Sequence, residues 1–405
     1  VTATHDELSH WATDFNHADP AYNADAHAIW DQLRDGGCPV AHSPRYGGMW
    51  APLTHEFVHE VAYDTDHFTS KGVIVSNARP GIAAPVGPAP PITSDPPFHQ
   101  IARRLLLPPF SPKAIDPWEP DVRRLCDELL DRIGPVTPGA SVVDAAVQYA
   151  QSIPVNVIAR MLGFPPDDEE VFRGFVHNVI EQVDLPAEQR IANFQNLDEY
   201  IDRQITDHIA NPRDDLTSYL LDAELDGHRL AYEHVRGSIV LLLIAGIDTT
   251  WSAIGASLWH LATNPDDLQR LADDPGVIMF AVEEFLRAYA PVTMARLVKD
   301  DYDFHGCPMK ADEWVLLPFP AANRDPAFFE RAGDFVIDRA ENRHAAFGLG
   351  IHRCIGSNLA RLEVRVAVEQ FVQRFPRFEL AGDVAWSQGQ IRGPRVLPVR
   401  VLAAA

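Results

Sequence analysis

The chain has 405 residues, with 57 acidic side chains against 34 Lys and Arg and a formal net charge of −23. That balance argues against a general nucleic-acid or anionic-membrane binder, because both partners are themselves polyanions. Apolar residues at 46 % and charged residues at 22 % exclude a disordered or fibrous chain and leave a globular one, long enough for a large core. The cysteines stand singly at Cys38, Cys126, Cys307 and Cys354, which is no disulfide framework and points to a reducing, cytoplasmic interior. The N-terminus lacks the basic and apolar regions of a signal peptide. The longest apolar run, Ile239 to Ile247, falls far short of the roughly 20 residues a spanning helix needs, so a soluble protein is expected. The chain starts at Val1, which leaves open an initiator Met or a longer N-terminal portion.

Residues 1–60 mix short helical and strand-like pieces, with a hairpin expected around Arg45 to Trp50, where Gly47-Gly48 supplies the turn. Residues 73–97 are rich in Pro, Gly and Ala, a density no regular element survives, and such a stretch is a candidate binding loop or lid as much as a plain surface loop. From about Phe98 to Leu286 apolar residues recur at helical spacing, as in Ile101, Leu105 and Leu106, then Val122, Leu125, Leu129 and Leu130. Pro186, Pro212 and Pro265 punctuate these helices. The stretch from about Ala231 to Asn264 is long enough to cross the whole protein. Strand-like pieces return at Val298–Phe304, Trp314–Pro318 and Val396–Leu402. The pattern predicts a mainly α fold with minor β, built as one domain over residues 1–405.

One segment carries chemistry by itself: Phe347-Gly348-Leu349-Gly350-Ile351-His352-Arg353-Cys354-Ile355-Gly356, followed by a helical pattern. Glycine lets backbone approach a flat ligand closely and adopt positive φ. A cysteine just before a helix N-terminus has its thiolate favoured by the dipole and free N–H groups. Such a thiolate suits a haem iron, and its electron donation promotes O–O cleavage. His352 and Arg353 are placed to face haem propionates or a partner surface. A lone cysteine would more simply be a buried structural thiol, but the ten-residue arrangement outweighs that alternative.

The segment resembles the haem-binding loop of the cytochrome P-450 superfamily (F-x-x-G-x-H-x-C-x-G), and further motifs in the family's order extend the resemblance over nearly the whole chain. It implies the P-450 fold, with a long central helix over haem b and small sheets at one side. Cys354 is then the metal ligand, and Phe347, Gly348, His352 and Gly356 belong to the cofactor loop.

Within the long helical stretch stands Ala245-Gly246-Ile247-Asp248-Thr249-Thr250. Gly246 in a helix interior costs roughly 1 kcal/mol against Ala, and Thr249 can bond back to a carbonyl and bend the helix. Together they are expected to open a groove for dioxygen and water. Asp248 and Thr249 resemble the family's acid–alcohol pair, a proton relay suited to general acid catalysis. An N-cap reading of Asp-Thr-Thr conflicts with the long apolar run before it. Glu284 and Arg287 lie three apart on one helical face, a common surface pair if isolated. They resemble the family's E-x-x-R element, joined by Arg339, a triad with a structural role. In Asp95-Pro96-Pro97-Phe98-His99-Gln100-Ile101-Ala102-Arg103, His99 and Arg103 are four apart and project from one face of a helix starting near Pro97. They resemble the family's H-x-x-x-R element, which binds haem propionates. Arg296 matches the propionate-binding arginine after the E-x-x-R helix, so His99, Arg103, Arg296 and His352 are the expected donors. For each, a surface arginine or histidine with a structural partner is the plainer alternative.

By placement against these motifs, the pocket is expected to be lined by Leu241, Ile244 and Ala245, by Val292, Thr293 and Met294, and by Ile92. This largely apolar set favours a neutral hydrophobic substrate held by buried area. The chain holds no dinucleotide-binding Gly-rich unit and no cysteine cluster for an iron–sulfur centre. Electrons must then come from elsewhere. Arg103, Arg104, Lys113, Arg353 and Arg361 are expected to form a basic patch that receives an acidic ferredoxin, unless the chain is the haem portion of a longer fusion. The resemblance therefore implies a cytoplasmic, monomeric, dioxygen-dependent monooxygenase without nucleic-acid or membrane partners. A peroxide-driven haem-thiolate enzyme is the nearest rival, and Asp248-Thr249 argues against it; a haem sensor or carrier would need no relay.

Overall fold

The computed structural model describes residues 11–37, 39–76, 87–181, 185, 187–225 and 227–404. Its longer helices are α1 (Pro20–Asp35), α2 (His55–Tyr63), α3 (Phe98–Leu106), α4 (Glu119–Ile133), α5 (Ser152–Leu162), α6 (Glu169–Val176), α7 (Ala187–Ala210), α8 (Leu216–Asp222), α9 (Tyr232–Thr263), α10 (Pro265–Asp273), α11 (Ile278–Ala288) and α12 (Ser357–Arg374). Side-chain caps begin several of them: Thr54 accepts from the Phe57 N–H and Asp215 from the Ser218 N–H. Pro265 enters α10 at its first turn, where its missing N–H costs nothing. Gly163, in the left-handed region, ends α5.

Helix α9 runs unbroken for 32 residues and is apolar on nearly all sides, the pattern of a helix buried by its neighbours. It is long and apolar enough to cross a membrane, yet 72 % of that stretch is covered by the protein's own residues. It packs on α5, α7, α11 and α12. The main core cluster gathers side chains from Leu106 to Val401 around it.

A five-stranded sheet lies beside the helices. Its strands are β1 (Val40–Ser43), β2 (Met49–Pro52), β3 (Phe68–Thr69), β4 (Thr293–Val298) and β5 (Trp314–Pro318), in the order β1-β2-β5-β4-β3. The hairpin expected near Arg45 forms, with Ser43 opposite Met49. Its turn is a short 3-10 piece in which Tyr46, Gly47 and Gly48 all have positive φ. At Gly48 a Cβ would collide with Glu313. The continuous strand expected over Val298–Phe304 is instead two. β4 stops at Val298, and a separate two-stranded ribbon starts at Tyr302, because the exposed Lys299, Asp300 and Asp301 turn the chain out into solvent. The C-terminal strand starts at Pro398, two residues later than expected.

Candidate active site

The Cys354 loop is shaped by backbone conformations that only glycine adopts freely. Gly348 and Gly350 have φ of 74° and 69°. A Cβ on Gly350 would lie 2.2 Å from the Ala62 carbonyl oxygen of α2, so the loop sits directly on that helix. The Cys354 N–H donates to the Phe347 carbonyl at 2.7 Å, closing the loop. Cys354 precedes α12, whose N-cap is Gly356. Its side chain is accessible, although the surrounding protein is dense enough that burial pushes the thiol up. The Gly356 N–H, Arg103, Arg353 and Arg361 oppose that shift. The N–H donor at the start of α12 thus favours the thiolate, as expected, while burial works against it.

Four basic side chains converge beside the loop. His99 and Arg103 share a face of α3, and His99 meets His352 edge-on with ring centroids 4.3 Å apart. The Ser70 hydroxyl lies 2.8 Å from His352 Nε2. Arg103 donates to the Arg353 carbonyl at 2.5 Å. Arg296, on β4, is buried, and among the described residues its guanidinium donates only to its neighbour's carbonyl, Ala295, at 2.7 Å. Burial, then Arg103, pushes His99 down to about 4. Burial, then Arg296, pushes His352 down to about 2, and burial brings Arg296 down to about 10, with Asp95 opposing. Among the described residues neither ring nitrogen of His99 has a hydrogen-bond partner. A buried guanidinium bonded to a neighbouring carbonyl and a buried imidazole beside it, with Arg103 and His352 at their edge, fit a bound group carrying carboxylates. The two propionates of haem meet that need. Asp95, unassigned from sequence, accepts from the Thr69 hydroxyl and the Ser70 N–H and so fixes the turn that carries Ser70.

Across α9 the expected relay residues point in different directions. The Thr249 hydroxyl donates to the Ala245 carbonyl at 3.0 Å. Asp248 is fully buried, and its Oδ1 accepts from Arg395 at 2.6 Å. Arg395 also donates to Ser252 at 3.0 Å and to Glu181 at 2.5 Å, and Glu181 meets His177 at 2.7 Å. Burial pushes Asp248 up to about 6, against the pull of Arg395. Among the described residues no hydrogen bond joins Asp248 to Thr249, because successive helical residues are about 100° apart around the axis. Gly246 does not open a groove: a Cβ there would meet Ile158 of α5 at 3.1 Å, so the glycine serves close helix packing. Nor is α9 interrupted at Thr249.

The expected pocket residues divide. Ala245 is exposed in the middle of an otherwise buried helix, with Leu241 and Thr249 half-buried one turn to each side. These three, at fourth-residue spacing, mark the least covered face of α9 in its middle turns. Ile244 is 9 % exposed and joins the main core instead. On β4, alternation puts Met294 on the face of Arg296, with the half-buried Val292 just before it, whereas Thr293 turns to the other side and is buried. Ile92 is half-buried in the segment 87–93, which packs on α9; a Cβ on Gly237 would touch the Pro88 carbonyl. The rest of the proline-rich stretch, residues 77–86, lies outside the described residues. A cavity of about 580 Å³ opens elsewhere, between α4, α5 and α6, and includes none of these residues.

Two members of the triad, Glu284 and Arg287, are fully buried rather than superficial, and Arg339 is half-buried beside them. Glu284 accepts from Arg287 (2.8 Å to each oxygen), Arg339 (2.9 Å), Asn342 (3.0 Å) and the Val336 N–H (2.8 Å). Arg287 also donates to the carbonyls of Asn323, Ala332 and Asp334. Beside it, Glu283 takes two hydrogen bonds from Arg361 at 2.6 and 2.8 Å, a pair not expected from sequence. Arg361 lies over the Phe347 ring at 4.4 Å, so it braces the cysteine loop and leaves the expected basic patch to Arg104, Lys113 and Arg353, which are exposed, and the half-buried Arg103.

The family model described as Cytochrome P450 matches residues 174–274 and 277–385. The chain is 32 % identical to Cytochrome P450 107B1 of Saccharopolyspora erythraea, covering 94 % of this chain and 96 % of that protein. It is 36 % identical to the Vitamin D(3) 25-hydroxylase of Pseudonocardia autotrophica over 73 % of each. The crystal structure of CYP109E1 from Bacillus megaterium in complex with testosterone superposes with a TM-score of 0.85 at 28 % identity, covering 95 % of this chain and 99 % of that one. A matched family model, a likeness along nearly the whole chain and a shared fold agree with the motifs around Cys354: the chain belongs to the cytochrome P450 family.

Proposed function

We propose that this P450 monooxygenase inserts one oxygen atom from dioxygen into a neutral hydrophobic small molecule, by hydroxylation or O-dealkylation, with electrons from a separate ferredoxin and reductase. The carrying observation is the Leu241–Ala245–Thr249 face of α9, exposed at Ala245 and half-buried at its neighbours on an otherwise buried helix. With Ile92, Val292 and Met294 it forms an apolar lining, whose affinity comes from buried area. Relatives point the same way by their names: Vitamin D(3) 25-hydroxylase, and Steroid C26-monooxygenase of Mycolicibacterium smegmatis, 31 % identical over 87 % of this chain.

The family's cofactor is haem b, which when bound supplies the reduction and cleavage of dioxygen. In this chain Cys354 would ligate the iron from a loop formed by Phe347, Gly348 and Gly356. His99, Arg103, Arg296 and His352 would hold the propionates. The half-buried Thr249 hydroxyl would present a proton to the reacting face, and Asp248, on the other side of the helix with Arg395, would be the acid of the relay, reached through solvent and not by direct contact. Glu284, Arg287 and Arg339 hold the segment before the cysteine loop in place. Arg104, Lys113 and Arg353 offer an acidic ferredoxin an exposed cationic surface on a chain of net charge −23. The enzyme is read as a cytoplasmic monomer and as a single domain, and the single domain is in keeping with core clusters that interleave early and late segments.

Spectral titration with steroids, terpenoids, aromatics and fatty acids tests the substrate class. Neutral polycyclic compounds should shift the haem spectrum; tight binding of carboxylates alone would overturn the reading. NADH consumption that depends on substrate, ferredoxin and reductase, and is not replaced by peroxide alone, tests the electron source.

A further inference from the structure

Gln390 is buried in the turn at residues 387–393, and its side chain joins three separate stretches of chain. Its amide nitrogen donates to the Thr293 carbonyl at 2.8 Å and to the Val73 carbonyl at 3.0 Å. Its amide oxygen accepts from the Val75 N–H at 2.5 Å. The backbone around it is paired as well. The Thr293 N–H donates to the Gln390 carbonyl at 2.8 Å, Val292 and Ile391 form an antiparallel bridge, and the Arg392 N–H donates to the Pro291 carbonyl at 2.8 Å.

The free edge of β4 is therefore covered in succession. Phe68 and Thr69 pair with Val298 and Leu297. Val73 follows, its carbonyl accepting from the Ala295 N–H at 3.2 Å, and then residues 390–392 take over. Gln390 closes the seam between the last two coverings. The chemistry demands an amide there, because the place needs two donors and one acceptor. A carboxylate has no donor, and a methionine of similar length has neither function.

The seam adjoins the reacting face. Val292 and Met294 flank Thr293, and Met294 shares the strand face that carries Arg296. A shift of the Thr293 carbonyl moves both, and a shift of Val75 moves the start of the proline-rich stretch. We propose that Gln390 is a positioning residue for ligand selection: it sets the spacing between the wall made by Val292 and Met294 and the Val73–Val75 segment, and so the size of ligand admitted beside the haem. This inference rests on the haem-pocket reading above.

The test compares imidazole, which needs only the iron, with 4-phenylimidazole, which must also fit the pocket, by spectral titration of the haem-loaded protein and its Gln390→Met variant. The imidazole dissociation constant should stay within about twofold, while that of 4-phenylimidazole changes by about tenfold, the effect of roughly one or two lost hydrogen bonds. Amide hydrogen exchange at Val75 should quicken in the same variant. If Gln390→Met does not fold, Gln390→Asn, one methylene shorter with the same amide, should show the same split. Quickened exchange with an unchanged ratio of the two affinities would overturn the proposal, as would unchanged exchange at Val75. Failure of both variants to fold would overturn it too, making Gln390 a determinant of folding instead. No spectral response of the unaltered protein to imidazole would overturn the haem-site reading itself.

Discussion

Arg395 holds Asp248 from 147 residues away: its Nη2 stands 2.6 Å from Asp248 Oδ1 in the fully buried interior behind α9. The same guanidinium reaches Glu181 and lies 4.7 Å from the centre of the Trp251 ring. Among the described residues Asp248 Oδ2 has no partner. The carboxyl is thus anchored by one oxygen and unsatisfied at the other, a poor place for a permanent charge.

That arrangement gives Asp248→Asn a defined pH signature. Burial raises the folded pKa from 3.8 to about 6, so between those values the folded state binds more protons than the unfolded state. Stability therefore falls as pH rises through this window, by up to roughly 3 kcal/mol. Asp248→Asn should remove the fall. Urea midpoints measured from pH 4 to 7 would show it, and an identical slope in both proteins would refute the assignment.

Thr249→Ala should leave folding and haem binding intact while diverting electrons to hydrogen peroxide by several-fold. Its hydroxyl makes one local bond, to the Ala245 carbonyl, so little stability is at stake. The ratio of product to peroxide per NADH is the measurement, and unchanged coupling counts against the relay.

Glu284→Gln leaves the Arg287 and Arg339 guanidinium groups facing a neutral amide inside the protein, where Glu284 and Arg287 are both fully buried. Breaking such a pair costs roughly 3–5 kcal/mol. Thermal denaturation should show a large drop, together with loss of the long-wavelength band of the reduced carbon monoxide complex. A surface-like change below about 1 kcal/mol would show that the buried triad is not what braces the loop.

The glycines of the cysteine loop should differ in tolerance. Gly350→Ala meets the Ala62 carbonyl at 2.2 Å and also places alanine at a left-handed φ, so it should lose haem and fold poorly at a cost above roughly 1–3 kcal/mol. Gly348→Ala carries the φ strain with an ordinary 3.4 Å contact to Phe319 and should cost less. Gly356→Ala, at φ −81° and 3.9 Å from Cys354 Sγ, should be nearly neutral. Haem content and melting temperature of the three variants give the order.

The sequence by itself determined the elements whose cause is local. The apolar run with helical spacing makes α9 within a residue of its expected ends, and Gly47-Gly48 makes the first hairpin. The glycines around Cys354 and the four-residue spacing of His99 and Arg103 likewise act through nearby backbone. Only the tertiary structure decided the long-range partners. Arg395 for Asp248, Arg361 for Glu283 and Gln390 for Val73, Val75 and Thr293 lie 78 to 317 residues apart. Nothing in a neighbouring residue signals such pairings, because a side chain's partner is set by how helices and strands pack. The same reason removed Ile244 and Thr293 from the lining: period and motif place a residue on an element, but the face that stays open depends on what packs against the others.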